Sequence, residues 1–232
     1  MTAGREVSTR TLALVGAVVW LCLGGYMLRW GRTWNLDLRV YRGAGQAWLH
    51  GAKPYLLLFT GRHLAFTYPP FALIALLPLA WGPLRMVETI WWLLSAACLV
   101  GVLTVALRRT TTLTGGRSVA VAALVGGLSA IAFEPLRSNM DYGQINWILM
   151  FLIVLDLTAL RGRWRGTLVG LAAAVKLTPL VFLGYFLVRR QWRTAARGAT
   201  VFVVCTLIGA VVVQTDTWRF WLNLFINDKF WI

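Results

Sequence analysis

Long apolar runs recur along this chain, and they decide its solvent before any motif is read. The runs are about 16 to 22 residues long, and at ~1.5 Å per helical residue the longer ones match a hydrocarbon core ~30 Å thick. Inside such a core every backbone N–H and C=O must find its partner within the protein, which leaves helices or a closed barrel. Composition agrees: 59% of residues are hydrophobic, 13% are charged and the mean hydropathy is +0.68. The expected fold class is all-α, a polytopic transmembrane helical module.

The first run, 11–28, follows Arg5 and Arg10 and has the look of a signal sequence. No small-residue cleavage site follows it and several further runs do, so it reads as a retained first helix. Cys22, Cys98 and Cys205 all lie inside apolar runs, which argues against a disulfide framework or a metal cluster. The formal net charge of +15 raises the question of nucleic acid, but the 23 basic residues are dispersed among short loops between apolar runs, where topology determinants sit. No nucleic-acid partner is expected.

Loops 108–117, 161–166 and 189–197 carry Arg108, Arg109, Arg117, Arg161, Arg163, Arg165, Arg189, Arg190, Arg193 and Arg197 without an acid, which marks them as cytoplasmic. The 134–146 loop has one arginine and two acids and should face outward. A count of one span per run cannot satisfy these sides. Run 66–81 opens with Pro69-Pro70, holds Pro78 and ends at Trp81-Gly82-Pro83, so a short or tilted helix at the outer interface is expected there. Run 166–188 has basic flanks and is interrupted by Lys176 and Pro179, which favours two short helices dipping in and back over a single kinked span. The six basic residues of 29–65 oppose its outward placement, although long loops obey the charge rule poorly. The whole of 1–232 is expected to be one transmembrane domain, with 29–86 an outer loop carrying a juxtamembrane helix. The aromatic segment from Thr215 onward looks like an interrupted outer loop.

Polar residues at the outer boundary are the candidates for chemistry, because ionisable groups are costly there. Asp37 leads, as the one acid between Glu6 and Glu88, set among Arg32, Arg39 and Arg42. A carboxylate there is placed to take a proton from an acceptor hydroxyl while nearby cations hold a lipid phosphate, and a surface ion pair is its plainer role. In 66–71, Tyr68 adjoins a rigid proline pair that can orient an interfacial helix beside a lipid substrate; an aromatic belt and a helix start is the plainer reading, and the favoured one on these residues alone. Glu134 and the Gly143-Gln144-Ile145-Asn146 stretch flank a short outer loop, where Gln144 and Asn146 suit either sugar hydroxyls or capping of the next helix. Lys176 lies in an apolar run, so its ammonium needs an anion, a carbonyl or water, with snorkelling as the alternative to a phosphate contact. Asp156 reads as structural, paired with Arg161 or Arg163. His50 and His63 are isolated, so no metal or cofactor is expected, although a divalent cation stays open.

Taken in order, Asp37-Leu38-Arg39-Val40-Tyr41, Tyr68-Pro69-Pro70-Phe71, Gly143-Gln144-Ile145-Asn146 and the 170–179 stretch ending Lys176-Leu177-Thr178-Pro179 resemble glycosyltransferase family 87. The resemblance implies a GT-C fold in the plasma membrane with its site on the extracytoplasmic face. It also implies a polyprenyl-phosphate-mannose donor and a lipid-linked glycan acceptor, of the kind met in actinobacterial phosphatidylinositol mannoside and lipoarabinomannan synthesis. Asp37 takes the place of the family's first-loop acid, the general base for an inverting displacement. Arg39, Tyr41, Tyr68, Glu134, Gln144, Asn146 and Lys176 are the expected substrate contacts, and membrane lipids the surroundings. Members of the family run well past residue 232, so the chain reads as an N-terminal portion. A polyprenyl-lipid transporter or flippase, or a non-catalytic scaffold, are the competing functions; the first would show paired halves, and the second would make Asp37 dispensable.

Overall fold

The computed structural model describes residues 7–30, 35–214 and 217–226. They form helices α1 (Thr9–Trp30), α2 (Leu36–Leu49), α3 (Pro70–Ala75), α4 (Leu84–Thr110), α5 (Gly115–Ala132) and α6 (Glu134–Asp141), followed by α7 (Asn146–Thr158), α8 (Thr167–Val175), α9 (Val181–Val188), α10 (Trp192–Val213) and α11 (Thr217–Ile226). The strands β1 (Leu58–Phe59) and β2 (Leu64–Ala65) make one short antiparallel hairpin, so the class is all-α as expected. Among the described residues, α1, α4, α5 and α10 are long and apolar enough to cross a membrane, and α6 with α7 makes a fifth candidate bent by 112°.

Three segments differ from the sequence expectation. Residues 29–65 contain α2, which burial explains: Leu38, Val40, Tyr41, Ala44 and Gly45 line its inner side, while Arg39 and Arg42 interrupt any apolar run. The 134–146 loop contains α6, and α7 alone is 13 residues, about 20 Å, too short to cross. Part of the expected terminal loop is α11; residues 215–216 and 227–232 lie outside the described residues.

Two runs are divided into short helices, as expected. Run 66–81 gives only the six-residue α3 and a 3-10 turn at Leu77–Ala80, with Pro70 at the first helical position where its missing N–H costs nothing. Run 166–188 is two short helices, α8 and α9, broken at Lys176, whose φ of −146° and ψ of 132° are extended.

The chain forms two compact units, Met1–Asn35 with Glu88–Phe151, and Leu36–Val87 with Leu152–Ile232. In the first, α1 lies against α5 through small residues, the packing that membrane helices favour because lipid supplies no hydrophobic drive. A Cβ on Gly127 would meet Val19 at 2.6 Å, and the Trp20 indole donates to the Ala123 carbonyl at 2.9 Å. Leu99, Cys98, Ala96, Met140 and Trp147 form the buried cluster of this unit.

In the second unit α10 is the spine. A Cβ at Gly170 of α8 would collide with the Gly198 carbonyl oxygen of α10, so these helices touch backbone to backbone. Eleven residues along α10, a Cβ on Gly209 would meet the Phe71 nitrogen at 2.6 Å, which seats the start of α3. The N-terminus of α8 is held by Asp156, wholly buried, whose carboxylate accepts the Gly166 N–H at 2.6 Å and the Val169 N–H at 3.0 Å. Asp156 is therefore structural, but through backbone N–H groups, which an arginine-pairing argument from sequence did not anticipate.

Candidate active site

The second unit gathers four of the expected site residues, brought from three separate stretches of chain. Asp37 lies in the first turn of α2, where the partial positive charge of the helix end favours a carboxylate. Tyr41, four residues on, shares its face and is buried. The Tyr41 and Tyr68 hydroxyls are hydrogen-bonded at 2.7 Å, with their rings edge-on at 5.0 Å. The Tyr68 carbonyl, just ahead of Pro69, accepts the Tyr55 hydroxyl at 2.6 Å. At the far end of α8 the chain leaves the helix, and Lys176 Nζ lies 5.6 Å from the centre of the Tyr68 ring. The ring face thus meets a cation on one edge of the cluster while its hydroxyl meets a second phenol.

Tyr68 and Lys176 lie outside the candidate membrane-crossing helices, and their protonation follows their surroundings. Burial, opposed by the Tyr41 hydrogen bond and helped by the charge of Asp37, pushes the Tyr68 phenol up to about 12. Burial lowers the pKa of the Lys176 ammonium, and the charge of Asp37 opposes that shift. Asp37 is therefore electrostatically coupled to both Tyr68 and Lys176.

The arginines near Asp37 divide. Arg42 spends its guanidinium on the chain itself, with Nη1 donating to the Leu79 carbonyl and Nη2 to that of Gly82, each at 2.8 Å. It ties α2 to the end of the Leu77–Ala80 turn. Arg39, half-buried, is two residues from Asp37 and so points from another side of α2. Arg32 lies outside the described residues.

The first unit holds the other candidates. Gly143 adopts a left-handed φ of 64°, and its carbonyl accepts the buried Trp91 indole N–H at 2.8 Å, so the turn between α6 and α7 is pinned. On that turn Gln144 Oε1 accepts the Asn139 amide at 2.9 Å and the Asn146 amide at 2.7 Å. The Asn139 Oδ1 is buried and finds no hydrogen-bond partner among the described residues. Sequence reading missed Asn139; its position five residues before Gln144, across the turn, becomes a signal only once α6 is known to reach Asp141. Glu134 sits exposed at the first position of α6, apart in sequence from the amide turn. The same unit has a groove of about 480 Å³ whose apolar wall includes Cys22, Leu23, Ala130 and Ile131 and whose polar end is Arg137 and Asp141. Among the described residues no three His, Cys, Asp or Glu side chains come together as metal ligands.

Fold and cluster define a class: a polytopic helical membrane protein in which two tyrosines and a lysine come together beside the helix that carries a carboxylate in its first turn. The model of glycosyltransferase family 87 matches residues 66–229. The chain belongs to that family. It is 38% identical over 240 residues to the polyprenol-phosphate-mannose-dependent alpha-(1-2)-phosphatidylinositol mannoside mannosyltransferase of Mycolicibacterium smegmatis, a match covering 97% of this chain and 53% of that protein. The Mycobacterium tuberculosis protein of the same description is 34% identical over 227 residues, covering 89% and 53%. A pentamannoside mannosyltransferase of M. smegmatis is 36% identical over 193 residues, covering 82% and 46%. The chain spans about half the length of the curated relatives it matches. No solved structure matches it. The family match begins at Phe66, downstream of Asp37, whereas the match to the first relative takes in 97% of the chain.

Proposed function

We propose that the chain carries the catalytic base and donor-phosphate contacts of a polyprenyl-phosphate-mannose-dependent mannosyltransferase that acts on a lipid-linked glycan, of the phosphatidylinositol mannoside or lipoarabinomannan type. The observation that carries this reading is geometric: the helix that bears Asp37 in its first turn also bears Tyr41, whose hydroxyl is bonded at 2.7 Å to that of Tyr68, and the Tyr68 ring has the Lys176 Nζ 5.6 Å from its centre. An acceptor hydroxyl oxygen attacks the anomeric carbon of the donor, and the bond from that carbon to the phosphate oxygen breaks on the opposite side. Asp37 takes the hydroxyl proton, the polyprenyl phosphate leaves as the anion, and Lys176 meets its developing charge. In-line displacement inverts the centre, so a beta-linked donor gives an alpha-mannoside. With the phosphate on Lys176, the Asp37 carboxylate loses a competing partner and is free for the proton.

Tyr41 holds Tyr68 through its hydroxyl, and Tyr68 offers its ring to Lys176. Gln144, Asn146 and Asn139 offer amides to sugar hydroxyls, with Arg39 and Glu134 as further contacts. In this reading the 29–86 segment lies on the extracytoplasmic face of the plasma membrane, as part of one transmembrane domain over 1–232.

The test is mannose transfer from synthetic polyprenyl-phosphate-mannose to a mycobacterial lipid extract, scored by mass spectrometry. Membranes carry the 232-residue chain, a form extended to the length of its relatives, or the Asp37→Asn variant of each. Transfer that vanishes on Asp37→Asn supports the reading. Transfer unchanged by that substitution removes Asp37 from the chemistry, and no transfer by any inserted form favours a transporter or scaffold.

A further inference from the structure

Arginines crowd a second surface of the Leu36–Val87 and Leu152–Ile232 unit, one that the chemistry above does not use. Arg161, Arg163, Arg189, Arg190 and Arg193 are all exposed, and no Asp or Glu occurs between Asp156 and Asp216. Asp156, the acid that precedes this stretch in sequence, is wholly buried and given to the backbone of α8. The two basic stretches are joined: Arg197 Nη1 donates to the Gly162 carbonyl at 2.6 Å and to the Arg165 carbonyl at 2.7 Å, which fastens the 161–165 turn to the first turns of α10. Arg165 leans over the Phe186 ring at 5.9 Å, and its buried Nε finds no hydrogen-bond partner among the described residues.

Apolar surface adjoins this charge. Trp164 is 59% exposed with the Arg163 guanidinium 5.4 Å from its ring, and Trp192 is 63% exposed at the start of α10. Val188, 84% exposed, immediately precedes Arg189. A lipid leaflet takes both charge and apolar surface, because indole rings settle at the headgroup level while guanidinium forks meet phosphate in pairs of hydrogen bonds. Helix α10, apolar enough to cross the membrane, leads directly away from the patch.

We propose that the arginine and tryptophan surface of residues 161–165 and 189–197 binds the headgroups of anionic phospholipids. Its occupant is the lipid, seated by phosphate on arginine and by acyl chain along the exposed apolar side chains.

The experiment uses the whole purified chain in neutral detergent, with native mass spectrometry counting retained lipid after exposure to equal amounts of phosphatidylglycerol and phosphatidylcholine. The expected result is at least about tenfold preference for phosphatidylglycerol, with each exposed arginine contributing up to about fivefold. Substituting Arg161, Arg163, Arg189, Arg190 and Arg193 together by Gln should abolish the preference at unchanged helical circular dichroism, and the same five changed to Lys should keep most of it. Equal retention of the two lipids would overturn the proposal. So would undiminished retention by the glutamine variant, a lysine variant no better than the glutamine one, or complete displacement of the lipid by millimolar inorganic phosphate.

Discussion

The cluster of Asp37, Tyr41, Tyr68 and Lys176 and the cluster of Asn139, Gln144 and Asn146 are built by opposite means. The amide cluster is local: one pinned turn, with Gly143 in a left-handed conformation and Trp91 on its carbonyl, holds three side chains within eight residues of sequence. The charged cluster is long-range, with 139 positions from Asp37 to Lys176, and it rests on close backbone contacts of α10 with α8 and α3. The first is neutral and saturates the Gln144 oxygen internally; the second leaves a desolvated cation beside an aromatic ring and a carboxylate. A neutral amide turn suits ground-state binding of sugar hydroxyls, whereas coupled charges suit a reaction that moves a proton and expels a phosphate.

That division can be broken by measurement, and Lys176 offers the largest effect. Lys176→Met should lower kcat about 100-fold through loss of charge stabilisation on the leaving phosphate. Thermal stability in detergent should hold or rise, since a buried ammonium is removed; a fall in stability parallel to activity would make Lys176 structural. Because burial lowers its pKa, activity should be lost on the alkaline side below the ordinary lysine range as the ammonium gives up its proton. Lys176→Arg, if it turns over at all, should move that alkaline limb upward, since a guanidinium stays charged.

Gly209→Leu should come next. The added side chain has no room against the Phe71 backbone, so α3 must shift, costing about 1–3 kcal/mol of stability and carrying Tyr68 away from Lys176. Activity should drop by roughly tenfold or more. The same substitution at Gly25, where a Cβ meets nothing within 4 Å, should be silent in both assays. Gln144→Leu should act differently, raising KM for the acceptor by about three- to tenfold with kcat little changed, as expected for a lost neutral hydrogen bond. A large kcat effect there would erase the contrast between the two clusters. Tyr41→Phe should be the mildest, a few-fold loss, since it removes one hydroxyl and leaves the ring packing.

How much of this was legible in the sequence follows the same line. The apolar runs gave the crossing helices α1, α4, α5 and α10, because a membrane span is written in consecutive residues. The proline pair at Pro69-Pro70 and the Lys176 to Pro179 break announced the short helices, since proline acts on its own neighbours. Helix α2 stayed hidden behind Arg39 and Arg42, which read as loop charges until Arg42 is seen to donate to the Leu79 and Gly82 carbonyls. Asp156 showed its structural character but not its partners, because backbone N–H groups of α8 carry no sequence signature. Asp37 and Lys176 were each suspect as costly charges, yet the approach of Lys176 to Tyr68 depends on glycine contacts of α10 with α8 and α3 that no local pattern reveals.

The most direct test of the central claim, that Asp37 is the proton acceptor of this cluster, measures donor binding and mannose transfer side by side for the Asp37→Asn variant in the extended form. Transfer should fall about 10²- to 10⁴-fold, the usual worth of a general base, while affinity for a fluorescent polyprenyl-phosphate analogue stays within about twofold. Transfer that persists near the parent rate, or donor binding that collapses with it, would contradict the assignment.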